Sequence, residues 1–380
     1  MYDVIVVGAG PAGASAARRC ARLGLGTLLI DKAVFPRPKL CGGALSEQAM
    51  SYLDFDLPGE LIEQDIYGAR LHFDGTCIEI KKPYRIAVLV SRTRFDHFLL
   101  GKAEEVGARI VQGRRVSALD RDRDGARVMV GKDSYRGRII IGSDGFHSVT
   151  ARYVRRKHRK NEYGICVASR IPDDAVAMDI HDVVDIHFGV AGEGYGWVFP
   201  HKGHFSAGIG GSASQLSNPK AAMRRFLAST GLPTDVKMQG FPIPAGGVRR
   251  DIVADRLLLA GDAAGFVDAF TGEGIAYAIR SGQLAGEVAA TALESGSCCV
   301  RGLDPYRVRC EREFGRDLRY SLHSARLMHR FSGLFLRLMA SDAEILGRYL
   351  EVPARRSSYQ KYLAWLLPRI PCYAARLIFS

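Results

Sequence analysis

The chain has 380 residues, 47% of them hydrophobic and 24% charged, an ordinary balance for a globular protein of about two domains. That composition excludes a disordered chain, and no run approaches the roughly 18–20 consecutive apolar residues of a membrane span. Lysine and arginine number 53 against 40 acids, a net charge of +13, and from Arg319 to the end ten basic residues face three acidic ones. More than half of the surplus therefore lies in this tail. It fits an acidic partner, nucleic acid or an anionic membrane surface, or else a merely solvated helix face. The eight cysteines (20, 41, 77, 166, 298, 299, 310 and 372) form no CxxC pair and no zinc spacing. Together with an N-terminus that lacks the basic start of a signal peptide, they lead to the expectation of a reducing, cytoplasmic setting.

In chain order, Tyr2 to Val7 is an apolar, β-branched run that predicts a buried parallel strand. Gly8, Gly10 and Gly13 follow in GAGPAG, then an alanine-rich helix from Ala14 to Leu23 and a strand from Thr27 to Ile30, ending at Asp31. This is a βαβ unit with an acid about 20 residues past the glycines. Gly8 permits the tight turn, Gly10 leaves a pyrophosphate room to reach the backbone, and Gly13 permits close helix packing. The helix start supplies free N–H groups, and Asp31 can accept from ribose hydroxyls. Asp96 to Val106 predicts a helix, and Ala108 to Val116 and Tyr135 to Ile141 predict strands. Alternating runs over 161–210 (ICVASRI, VDIHFGV, YGWVFP, HFSAGIG) predict a mainly antiparallel sheet. His187, His201 and His204 form no metal pattern with nearby acids and read as structural or surface residues. Arg256 to Ala260 predicts a late strand before Gly261-Asp262-Ala263-Ala264, and Gly274 opens an Ala/Gly-rich helix from Ile275 to Leu293. Two such loops in one chain suit a long cofactor, with adenosine on the first and a flavin near the second. Asp262 would accept from ribityl hydroxyls and the Gly274 helix start would face the flavin pyrimidine. Residues 301–380 read as helical, with apolar stretches at 332–339 and 362–367 between arginines. Such helices suit either a membrane interface or a cap packed on the substrate domain.

These pieces resemble the FAD-dependent oxidoreductases built like p-hydroxybenzoate hydroxylase. The Gly8–Gly13 loop with Asp31, the Gly142-Ser143-Asp144-Gly145 stretch, Leu259-Ala260-Gly261-Asp262 and the Arg92-Thr93-Arg94-Phe95-Asp96 segment carry the likeness across roughly residues 1–295. Lys39-Leu40-Cys41-Gly42-Gly43-Ala44-Leu45, Tyr195-Gly196-Trp197-Val198-Phe199-Pro200 and Ile243-Pro244-Ala245-Gly246-Gly247 resemble motifs of its geranylgeranyl reductase branch. Ala44 stands where the branch carries a third glycine, and flavin halogenases carry a related W-x-W-x-I-P motif.

The resemblance implies an α/β architecture. A Rossmann-type FAD-binding domain (1–60, 87–160 and 248–300) would enclose an inserted, mainly antiparallel β-sheet substrate domain (61–86 and 161–247). A helical C-terminal segment (301–380) would follow, with membrane contact left open. It implies FAD contacts at Gly8, Gly10, Ala12, Gly13, Asp31, Cys41, Gly42, Ala44, Arg92, Val116, Asp262, Gly274 and Ile275. Asp144 would support the loop or a nicotinamide route, or simply close an Asx turn. Tyr195, Trp197 and Phe199 share one strand face. They would line an apolar substrate tunnel, the alternative being plain sheet core. Cys41 and Tyr195 are the candidate catalytic proton donors, Cys41 being otherwise a small residue chosen for fit. No metal is expected. The implied activity is hydrogenation of C=C bonds in an isoprenoid lipid or quinone tail, with NAD(P)H or a reduced carrier protein as electron donor. An anionic membrane surface is left open as a partner and nucleic acid is not expected, and the protein would sit in the cytoplasm, with a peripheral place on the inner membrane face left open. A flavin monooxygenase of the same fold and a non-catalytic prenyl-lipid carrier are the alternatives.

Overall fold

The computed structural model describes residues 1–176, 178–245, 251–330, 333, 337 and 342–371. Most of the apolar stretch 332–339, and Gly246-Gly247, lie outside these residues. In chain order the strands are β1 (Tyr2–Val7), β2 (Thr27–Ile30), β3 (Ala44–Ser46), β4 (Ile62–Ile66), β5 (Gly68–Phe73), β6 (Thr76–Lys81), β7 (Ala87–Val90), β8 (Arg109–Val111), β9 (Ala118–Arg121), β10 (Ala126–Val130), β11 (Asp133–Gly142), β12 (Gly164–Pro172), β13 (Val183–Phe188), β14 (Gly194–His201), β15 (His204–Ser212), β16 (Gln239–Ile243), β17 (Val253–Ala254) and β18 (Leu257–Leu259). The helices are α1 (Pro11–Arg22), α2 (Glu47–Ser51), α3 (Arg92–Glu104), α4 (Pro219–Ser229), α5 (Ile275–Glu294), α6 (Val300–Leu303), α7 (Pro305–Cys310), α8 (Arg316–Arg330), α9 (Ala343–Tyr349) and α10 (Tyr359–Leu366). The chain divides into two compact units. The first holds Met1–Lys39, Thr93–Arg159 and Pro244–Leu318; the second holds Leu40–Arg92, Lys160–Ile243 and the described residues from Arg319 onward.

In the first unit, β1 pairs in parallel with β2 and β11, and the sheet runs β17-β18-β11-β1-β2-β8. A parallel strand covered on both faces must be apolar throughout, and Val4, Ile5 and Val6 are fully buried. Helix α1 starts at Pro11, three residues before the expected Ala14, because proline at the first helical position sacrifices no hydrogen bond. The strand expected to reach Val116 ends at Val111, where Gly113 turns the chain at φ +70°. Helix α5 packs along α1 through bare glycines. A Cβ on Gly282 would lie 2.1 Å from the Ala12 carbonyl, and one on Gly286 would lie 3.1 Å from the Arg19 Cβ. These pairs advance in the same direction along both helices, so the helices run parallel. Ile275 lies seven residues ahead of Gly282, whereas α1 begins one residue ahead of Ala12. The N-terminus of α5 therefore projects beyond that of α1 by a turn or more. Residues 301–318, expected in a separate cap, belong to this unit. The fully buried Tyr306 ties them down, its hydroxyl donating to the Leu259 carbonyl at 2.7 Å.

The second unit is built on a seven-stranded sheet ordered β16-β12-β15-β14-β13-β5-β6, antiparallel except between β13 and β5. A small sheet β3-β7-β4 accompanies it. Residues 40–60, expected with the nucleotide-binding domain, cluster here because Ala44–Ser46 pair with Ala87–Leu89. Alternation sorts the faces of the large sheet. Val183 and Val198 point to a core closed by Met223 and Phe226 of α4, while Ile186, Tyr195, Trp197 and Phe199 point to the other side. In the described tail, Ile345, Leu346, Tyr362 and Leu366 pack against Ile66 and Leu89. The guanidinium groups of Arg348 and Arg369 lie 4.6 Å and 5.1 Å from the Trp365 ring centroid, so part of the basic surplus is spent on cation–π contacts.

Candidate cofactor and substrate sites

The glycine loop of the first unit shows what each position must do. Gly8 sits at φ +98°, and a Cβ there would strike the Ser143 carbonyl at 2.4 Å; a Cβ on Gly13 would lie 1.7 Å from the Gly8 carbonyl. Gly10 differs. The nearest atom to a Cβ there is Arg37 Nη2 at 3.9 Å, so the space in front of Gly10 is open. Helix α1 starts from Gly10 with no side-chain cap and no acid in its first turn, a helix end suited to a phosphate. Asp31 is oriented by the Ala9 and Ala33 N–H groups, which donate to Oδ2 at 2.6 Å and Oδ1 at 2.7 Å. The outer lone pairs remain for ribose hydroxyls.

Arg37 is a residue the sequence reading missed. Its Nη2 pairs with Oδ2 of the wholly buried Asp96 at 3.0 Å, and its Nη1 is buried with no hydrogen-bond partner. A cationic donor left unmatched beside the Gly10 opening fits an anionic group there.

The second loop meets the first. Gly261, at φ +58°, would place a Cβ 2.9 Å from that of Ala12. Arg155 fastens the turn by donating to the carbonyls of Ala263 at 2.6 Å and Ala264 at 3.1 Å. Asp262 is half-buried on this turn, with Oδ1 3.6 Å from a Cβ built on Gly274. Gly274 starts α5 with no side-chain cap and no acid in the first turn, and Ile275 behind it is buried. Val116 is buried in the same core, which leaves only its backbone for contact with a ligand. The structure thus gathers Gly8, Gly10, Ala12, Gly13, Asp31, Asp262, Gly274 and Ile275 around two staggered helix ends. The residues present fit a long dinucleotide. Asp144 instead braces the loop after β11. The Ser148 and Thr150 hydroxyls and the Val149 and Thr150 N–H groups all donate to its carboxylate.

Cys41, Gly42, Ala44, Tyr195, Trp197 and Phe199 fall in the second unit, and Arg92, nearly buried, heads α3. The three aromatics follow one another along β14 at centroid spacings of 6.3 and 6.4 Å. A Cβ on Gly42 would lie 2.7 Å from the Phe199 ring and 3.7 Å from Trp197 Nε1. That indole N–H is buried and unpartnered. The Cys41 thiol is half-buried.

The sheet also joins groups that are far apart in sequence. His201 Nδ1 meets Glu63 Oε2 at 2.6 Å, and its Nε2 meets the Gly42 carbonyl at 2.9 Å. His204 stacks on His201 at 4.7 Å, and Arg170 donates to its Nδ1 at 3.1 Å. The reading of His201 as lacking an acid is corrected: its acid arrives from β4. Both His201 nitrogens and His204 Nδ1 already have protein partners. On the other face, His72 and His187 stack at 4.1 Å with planes 3° apart, and His72 Nε2 contacts Asp185 at 3.2 Å. Parallel ring planes share no point where one ion could lie in both.

Burial, with the positive charge of His72, lowers the His187 pKa to about 4. Burial, with His201 and Arg170, does the same for His204. Both folded values lie below the ordinary 6.5, so unfolding takes up a proton at each site as pH falls from 6.5 to 4. The stability these sites contribute is complete above pH 6.5 and drains away toward pH 4. The expected result is a urea midpoint that drops across this window, less steeply in His187→Phe. A midpoint flat from pH 7 to 5 contradicts it.

Comparison with known proteins agrees with this geometry. The FAD binding domain family matches residues 1–314. A digeranylgeranylglycerophospholipid reductase of Methanococcus vannielii is 30% identical, over 90% of this chain and 90% of its own. A menaquinone reductase of Mycobacterium tuberculosis is 32% identical, over 75% of this chain and 76% of its own. A geranylgeranyl bacteriochlorophyll reductase-like crystal structure from Thermoplasma acidophilum superimposes with a TM-score of 0.81 at 25% identity, covering 97% of both chains.

Proposed function

Because this chain belongs to the FAD binding domain family, we propose that it is an FAD-dependent reductase that hydrogenates C=C bonds of an isoprenoid chain, in a lipid or a quinone tail. The observation that carries the reading is the packing of Gly42 against Phe199 and Trp197. It joins a loop expected on the flavin to a strand face expected on an apolar substrate. The relatives named for reduction of geranylgeranyl lipids and menaquinone support the substrate class.

Bound FAD supplies the hydride equivalent, drawn from NAD(P)H or a reduced carrier protein. The chain's own residues do the rest. Gly10, the α1 N-terminus and Arg37 hold the pyrophosphate, and Asp31 holds the adenosine ribose. Asp262 and the α5 N-terminus hold the ribityl and pyrimidine end, where the helix dipole favours negative charge. Tyr195, Trp197 and Phe199 orient a chain with no polar handle and exclude water. An isolated alkene is a poor hydride acceptor, so contacts with the distant chain must be used for orientation. The Cys41 thiol, the Tyr195 hydroxyl or an ordered water delivers the proton to the second carbon. Among the described residues no helix is long and apolar enough to cross a membrane, and the basic C-terminal helices would meet an anionic lipid surface instead.

The test presents geranylgeranyl lipid or menaquinone to the reduced holoenzyme without oxygen, in anionic and in neutral vesicles. A mass gain of two hydrogens per bond, faster in anionic vesicles, is expected. Oxygen incorporation in air would establish a monooxygenase instead. A colourless protein that carries lipid unchanged would establish a carrier.

A further inference from the structure

Three successive carbonyls of the Cys41–Gly43 loop are tied down within the second unit. Ser206 Oγ donates to the Cys41 carbonyl at 3.4 Å, His201 Nε2 to that of Gly42 at 2.9 Å, and the Val90 N–H to that of Gly43 at 3.0 Å. The N–H of a trans peptide points opposite to its carbonyl. The N–H groups of Gly42 and Gly43 are therefore turned away from these donors, and no described residue accepts from either. His201 is the strongest of the three anchors. A backbone carbonyl only accepts, so Nε2 carries a hydrogen. The partner at Nδ1 is Glu63. Burial raises its pKa, but the His201 hydrogen bond and the positive field of the groups around it, Arg170 among them, bring it below the ordinary value. Glu63 is thus held as a carboxylate against Nδ1 at 2.6 Å, and the ring is held at both ends. The side chains of His201 and Glu63 are only 4% and 9% exposed. Glu63 stands at a register shift where β4 passes β7, between Ile62 opposite Val90 and Gln64 opposite Leu89. Such a bulge re-aims a side chain that regular pairing would direct elsewhere.

We infer that His201, held by Glu63, is a positioning residue that grips the Gly42 carbonyl so that the Gly42 and Gly43 N–H groups are presented as donors to the reacting end of the cofactor. This rests on the proposed function in one respect, that the Cys41–Gly43 loop meets the flavin. Glu63 and His201 act only through that loop.

The experiment reads alkylation of Cys41 by iodoacetamide, peptide by peptide, in the flavin-free protein, and the midpoint potential of FAD in the reloaded protein. His201→Leu is expected to speed Cys41 alkylation about tenfold, the scale of one lost hydrogen bond, and to make the potential more negative as donors to the reduced flavin are lost. Where that variant fails to fold beside an unpaired Glu63, E63L/H201L replaces the pair with apolar groups, an exchange folded proteins tolerate. It should be folded and react as fast. E63Q should stay within about threefold of wild type, because its amide can donate to Nδ1 and leave the Nε2–H on Gly42. Wild-type alkylation in a folded variant lacking His201 overturns the grip, as does E63Q reacting as fast as His201→Leu. An unchanged potential despite fast alkylation overturns the presentation of donors to the flavin. If the variants show these effects but the wild-type protein reduces no alkene, the proposed function is overturned and this inference stands.

Discussion

Gly10→Val is expected to yield a folded, colourless protein. Gly10 has an extended ψ and a φ of −70°, values that any residue adopts. A Cβ there meets nothing closer than Arg37 Nη2 at 3.9 Å, so the fold has no reason to object. The pyrophosphate does, since the valine methyl groups would stand where it must approach the α1 N–H groups. Losing two charge-assisted hydrogen bonds costs about 3–4 kcal/mol, or roughly 10²–10³-fold in FAD affinity. Gly13→Val gives the contrast. Its Cβ would overlap the Gly8 carbonyl, and the expected loss there is of the fold itself. Flavin titration beside urea unfolding separates the two. A Gly10→Val protein that retains wild-type affinity removes the pyrophosphate from this opening.

The second large effect belongs to Asp96→Ala. Asp96 is wholly buried against Arg37, and removing one member of a buried pair leaves the other uncompensated, at a cost of about 3–5 kcal/mol. Arg37 is one-fifth exposed, so the lower end is expected. Affinity for ADP, which carries the pyrophosphate without the flavin, should fall together with that for FAD, because Arg37 loses its aim. Urea unfolding and ADP titration check the two halves. A change below about 1 kcal/mol with ADP binding intact would mean that the pair contributes neither stability nor aim.

The legible parts of this molecule are those whose constraints are local. Gly8 and Gly13 are required by a turn and a helix only a few residues away, and Val4–Val7 must be apolar because both faces of the strand are covered there. The β14 aromatics betray their shared face by alternation alone. The polar partnerships were hidden for the opposite reason. Arg37 finds Asp96 only once α3 is packed, and His201 finds Glu63 only through a register shift that no periodicity announces. The domain edges slipped where pairing overrides sequence order. Ala44–Ser46 follow β7, and residues 301–318 follow Tyr306 to the Leu259 carbonyl.

The glycine seam between α1 and α5 makes the cradle a ruler. Two parallel rods locked edge to edge, one protruding past the other, hold their tips at a set separation that thermal motion of the loops cannot stretch. On the proposed reading, a molecule too short to touch both tips would forfeit one of them, so discrimination among nucleotides would begin with span, before any atom of the bases is read.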